Sequence, residues 1–140
     1  MPFEVRVIEY GGSPWIVYGQ TEIPVNSSVS NPTPNTNGLV GEVATLPYLV
    51  PDGHRLVLTG WGIEGNRDPF SVLFPWIGEP PATNAKALMS AGSMAGMGVF
   101  TGVRFVVPAG KKVNVHLING SAYPMVHGWF VQGELVMLTP

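Results

Sequence analysis

At 140 residues with no cysteine, the chain is long enough to bury a core without covalent staples. Disulfide scaffolds, thiol nucleophiles and cysteine-based metal centres are excluded. A net charge of −2 supplies no clustered basic field for nucleic acid, and no run approaches the ~20 apolar residues that span a bilayer. Charged residues are 11% of the chain, against ~25% in an ordinary domain. A free monomer uses charge to stay soluble, so much of this surface is expected to lie against other subunits.

In chain order, residues 3–10 (FEVRVIEY) begin with strict alternation, the pattern of a half-buried strand. Glu4, Arg6 and Glu9 leave no apolar signal core there, so the expectation is a soluble protein made without an export signal. Gly11-Gly12-Ser13-Pro14 reads as a turn, and Trp15 to Gln20 as the second strand of a hairpin. Residues 24–39 (PVNSSVSNPTPNTNGL) hold no charge, three prolines and only two valines. The stretch predicts neither helix nor strand. Structureless loops beyond ~12–15 residues are either disordered or functional, and the functional version is an arm laid across a neighbouring molecule.

Strands are predicted over 40–49, 54–64 and 70–77, the last demoted to an edge or a bend by Pro75. Residues 78–98 (GEPPATNAKALMSAGSMAGMG) predict a short helix over 85–90 capped by Thr83 or Asn84. Gly92 and Gly96 would end it. Met89, Met94 and Met97 suit either an adaptable contact surface or a core gap. Strand 99–107 places Val99, Val103, Phe105 and Val107 on one face and Arg104 opposite. Strand 112–119 sets Val113, Val115 and Leu117 against Lys112, Asn114 and His116. The last strand, 125–138, is interrupted at Gly133 by a bulge or a tight turn.

One unit occurs twice. Val50-Pro51-Asp52-Gly53 and Val107-Pro108-Ala109-Gly110 each lead into a strand, 57 residues apart (Val50 to Val107). Proline is expected to set φ at the first central position of a tight turn, with glycine closing it where a side chain would clash. The fold class is therefore all-β: a single-domain antiparallel β-sandwich, a jelly roll of about eight strands over 1–140.

The second copy resembles the cupin motif P-x-G-x-x-H-x-x-x-N, but Val113 stands where the histidine belongs, and the metal site goes with it. His54, His116 and His127 have no ligand spacing; only convergence in space would make them a site. No phosphate loop, nucleophile elbow or H-E-x-x-H helix occurs. The nine carboxylates are scattered, and nothing nominates a glycosidase pair. No cofactor, metal or catalytic residue is expected. Trp15, Trp61, Trp76 and Trp129 would stack sugars if exposed and fill the core if not.

A jelly roll with doubled V-P-x-G turns, low charge, no cysteine and a neutral Pro/Asn/Ser arm resembles the small capsid cement, or decoration, proteins of tailed bacteriophages. The resemblance is to a type rather than to a residue-specific motif. It implies a non-enzymatic virion protein on the outer capsid surface, made in the host cytoplasm. Its partners would be the major capsid protein and itself, as homodimer or homotrimer. The expected contact residues are Pro32, Pro34, Asn35 and Leu39 in the arm, with Trp76, Met89, Met94 and Met97 around the second low-charge stretch. The competing readings are a carbohydrate- or receptor-binding sandwich and a cupin-like enzyme.

Overall fold

A computed structural model describes residues 8–9, 12–65, 71–78, 86–87, 91–93, 96–120 and 124–139. The strands are β1 (Ile8–Glu9), β2 (Ser13–Ile23), β3 (Ser27–Ser30), β4 (Tyr48–Leu49), β5 (His54–Gly65), β6 (Ser71–Ile77), β7 (Lys86–Ala87), β8 (Ala91–Ser93), β9 (Gly96–Pro108), β10 (Lys112–Asn119) and β11 (Met125–Thr139). They form two sheets. In the first, β11 lies between β5 and the pair β1 and β2, and β9 follows β5; in the second, β10 lies between β6 and the pair β3 and β4, and β7 and β8 pair with β6. Every strand pairing is antiparallel.

With the short pieces merged into their neighbours, the orders are β2-β11-β5-β9 and β3-β10-β6-β8. Each sheet takes its strands alternately from the two ends of the chain. That is a jelly roll, as the doubled turns predicted. The core lies between the sheets, with Val17, Leu56, Leu58, Trp61, Ile63 and Val131 facing Leu73, Val113, Val115 and Leu117. Val113, in place of the cupin histidine, is part of it.

The doubled turns are equivalent in detail. His54 N donates to Pro51 O at 3.2 Å and Lys111 N to Pro108 O at 3.3 Å. Gly53 and Gly110 have φ of 73° and 82°. Proline is thus the first corner and the bond acceptor, not the first central residue. Glycine is needed for its positive φ alone, since a Cβ at either position would meet nothing within 4 Å. The turns also bond to each other: Val50 N donates to Lys111 O at 3.0 Å and Gly110 N to Val50 O at 2.9 Å.

Several local expectations fail, each because a distant partner decides. Ile8 and Glu9 pair with Thr139 and Leu138, and β2 pairs with β11; among the described residues these two strands share one neighbour and do not pair with each other, and the rest of the expected strand 3–10 lies outside the described residues. Ser13 and Pro14, expected in a turn, open β2. The neutral stretch 24–39 does supply a strand, because β10 offers Ser27–Ser30 a complete ladder from Asn119 to His116. Of 40–49, only Tyr48 and Leu49 are strand, and Glu42 makes a lone parallel bridge to Ile16. Within the expected helix 85–90, Lys86 and Ala87 are extended and pair with β6; the other residues of that helix lie outside the described ones.

Pro75 sits inside β6 rather than ending it. On that strand's far side the described pairing covers 71–73 through β8 and 76–77 through β7; on its near side Pro75 stands opposite Val115 of β10. On β9, Val99 is exposed while Phe100 packs on the core against Trp61. The β5–β9 register shifts between Leu58 and Gly60, and Gly102 takes a φ of 76°. That bulge reverses which residues face inward. A second shift, at Gln132/Gly133, leaves Thr59 of β5 as the extra residue; the expected interruption at Gly133 does not occur, and β11 runs unbroken and in register with β2 there.

Candidate interaction surface

The long connection between β3 and β4 crosses from the second sheet to the first and returns. It leaves β10 at Asn31, which has a φ of 51°. Asn31 N donates to Val115 O at 2.7 Å, and its side-chain Oδ1 accepts from Val115 N at 2.9 Å. The side chain thereby stands in for the backbone carbonyl that the departing strand withdraws. Asn31 Nδ2 donates to Asn114 Oδ1 at 2.9 Å, and Asn114, fully buried, donates to Gly78 O at 2.8 Å. Two loops and one strand meet on that asparagine pair.

The connection then lies along the outer edge of β2. Asn35 N donates to Tyr18 O at 2.8 Å, Ile16 N to Gly41 O at 2.9 Å and Val43 N to Ile16 O at 2.9 Å. Pro32 and Pro34 are buried against the chain's own fold; lacking N–H groups, they fill space with no backbone donor to satisfy. The expected arm exists, but it is laid across this chain's own sheet edge. Pro32 and Pro34 are therefore not available contact residues in this placement, because their surface is already used. Asn35 is exposed and its backbone is tied; Leu39 is 67% exposed.

The tip is held by one carboxylate. Glu42 Oε2 accepts from Asn37 N at 2.8 Å and from Leu39 N at 3.0 Å, while Glu42 Oε1 accepts from the Tyr18 hydroxyl. Asn37 Nδ2 donates to the same hydroxyl at 2.8 Å. The Tyr18 hydrogen bond, aided by the Asn37 and Leu39 amides, holds the Glu42 carboxyl below its ordinary range. The same bond, with burial and the adjacent charge, pushes the Tyr18 phenol up. Gly41, at a φ of 86°, lies so close to Pro14 that a Cβ would fall on its carbonyl oxygen. These restraints present Leu39 and Val40, the latter 83% exposed, at the end of a fixed loop. Beside the tip is a groove of about 350 Å³ whose lining is apolar at Pro14, Trp15, Val40, Val43, Tyr48 and Leu135 and polar at Ser13, Glu42 and Thr45. Trp15 and Tyr48 meet edge to face at 5.3 Å in its wall.

Of the other expected contact residues, Trp76 is not brought together with this tip. Trp76 is on the outer face of the second sheet opposite Asn114 and is only 8% exposed. Met97 lies on β9 opposite Glu64; Met89 and Met94 fall outside the described residues. All four tryptophans are buried, so none offers a face for sugar stacking. Trp129 instead donates to Thr21 Oγ1 at 2.9 Å. The histidines are separate: His54 Nδ1 bonds to Asp52 O at 2.9 Å, His116 Nδ1 to Ser30 Oγ at 2.8 Å, and buried His127 to Glu64 O at 3.0 Å. Among the described residues, no three His, Asp or Glu side chains are grouped to hold a metal ion. His116 also packs on Phe74 at 5.0 Å, and desolvation lowers its pKa.

Tyr18, Val40 and Glu42 were missed by sequence reasoning. The turn signals Asn37-Gly38 and Gly41 bracket Leu39-Val40 and mark a presented tip; nothing local marks the tyrosine that reaches it from β2.

No protein-family model matches this chain, and no curated protein does. Among solved structures it is similar to the Drosophila NLP core, described as giving insight into pentamer formation and histone binding. The identity is 14% and the TM-score 0.36, over 85% of this chain and 97% of that one.

Proposed function

We propose that this chain is a structural subunit that works by contact: a phage decoration protein that binds the outer capsid surface, cross-links major capsid protein subunits and associates with copies of itself. The observation that carries the reading is the fixed, exposed Leu39–Val40 tip beside an apolar groove, on a chain only 11% charged. Scattered apolar residues are ordinary on protein surfaces, but an adjacent pair held out by a dedicated carboxylate is a contact device. A shell multiplies each modest contact by its copy number, so that loss of any one subunit becomes slow.

The test is co-sedimentation with shells assembled from a tailed-phage major capsid protein. The expected result is saturable pelleting and a raised shell melting temperature. Absence of pelleting at micromolar concentration overturns the proposal.

A further inference from the structure

We infer that the Leu39–Val40 tip and the groove beside it form a two-fold, self-complementary pairing surface, each copy's tip seated in the other's groove. This deepens the reading above by naming the surface through which copies pair.

Three observations converge. First, the projection and the recess are neighbours on one surface, with Val40 belonging to both. A two-fold axis between them brings tip to groove and groove to tip in one step, so every contact forms twice.

Second, the surface is compatible with itself electrostatically. Like charges meeting across a two-fold axis would oppose pairing. The only charged side chain among the groove residues is Glu42, and both its oxygens already accept bonds from within the chain. Trp15 and Val43 are already buried in the core; what remains to be covered is Pro14, Val40 and Ala44, half-buried Tyr48 and Leu135, and the short polar side chains of Ser13 and Thr45.

Third, the tip is pre-organised. Asn37, Leu39, Gly41 and Val43 are all tied through their backbones, so pairing does not have to order a loose loop, the usual entropic opposition to loop-mediated association. Burial of exposed Leu39 and Val40 then favours pairing with little loop-ordering cost set against it.

The experiment measures mass in solution across a concentration series for the full chain, Val40→Lys and Leu39→Lys. Both positions are exposed, and circular dichroism checks that the variants fold. The full chain is expected to be a dimer, and each lysine, by setting two like charges in apolar recesses, to raise the dissociation constant at least tenfold. Because the chain has no cysteine, a mixture of Val40→Cys and Ala44→Cys chains also gives a clean readout. Mild oxidation is expected to yield the mixed covalent dimer. A full chain that stays monomeric, a dimer indifferent to Val40→Lys, or no mixed cross-link overturns the pairing. Shell pelleting of the same proteins separates the two claims. A monomer that still pellets removes the pairing and leaves shell binding; a Val40-dependent dimer that ignores shells does the reverse.

Discussion

Along β2, the edge of the first sheet is sealed by the chain's own loop through Asn35, Gly41 and Val43. Along β9, the opposite edge ends the sheet with no paired strand beyond it among the described residues. There the protection is different: a register shift, Gly102 at positive φ, and Arg104, the single charge in Gly96–Pro108. A bulge and a charge make an edge a poor template for another strand. Both edges carry exposed apolar side chains, Val99 and Val106 on β9 and Leu39 and Val40 on the loop, but only Leu39 and Val40 are adjacent at a tip held by a carboxylate. Closing β2 and displaying Leu39–Val40 are two results of one loop.

Substitutions can break that contrast, beginning with the seal. Gly41→Val combines a disfavoured φ with overlap onto Pro14 and is expected to destabilise by about 3 kcal/mol or more, read as a lowered denaturant midpoint. Asn31→Ala comes next. It leaves Val115 N and Asn114 Oδ1 without their partner and a non-glycine residue at positive φ, for roughly 2–3 kcal/mol; Asn31→Gly should recover the backbone part only. On the other edge, Gly102→Ala meets no atom within 4 Å, so backbone strain acts alone, about 1–2 kcal/mol. A Gly102 variant as damaging as the Gly41 one would erase the distinction between the two edges.

The smallest effect sharpens the comparison through pH. The folded-state pKa of Glu42 lies below the ordinary 4.5. The folded state therefore holds fewer protons on this group than the unfolded one, and its contribution is complete above pH 4.5. It is lost as the pH falls through the depressed value. Hydrogen exchange at the Asn37 and Leu39 amides should quicken selectively in that acid range, with β9 amides unaffected. Glu42→Gln should remove the pH dependence.

The sandwich was legible because alternation and turn residues are local signals. Leu56, Leu58, Val113, Val115 and Leu117 face inward as their spacing requires, and the two P-x-G turns open β5 and β10. The site was not legible, because its parts are neighbours only after folding. Tyr18 and Glu42 are on different segments, and Asn31 earns its place through Val115, far along the chain. A run of Ser, Asn and Pro without charge reads as unpaired until the edge it covers is known. Of the residues expected to make contacts in that run, Leu39 is exposed at the tip while Pro32 and Pro34 are buried, because the run lies along the chain's own sheet edge.

The clasp between the two V-P-x-G turns bears on the order of folding. Each turn needs only its own four residues, and local hairpins form in about 1–10 μs. The bonds from Val50 to Lys111 and from Gly110 to Val50 instead require both halves of the chain to be in place. Sandwiches rich in such distant pairings fold over milliseconds to seconds. In a pulse-labelling experiment, the Val50 and Gly110 amides should gain protection together and late, after the His54 and Lys111 amides of the isolated turns. The clasp is a clock for completion of the jelly roll.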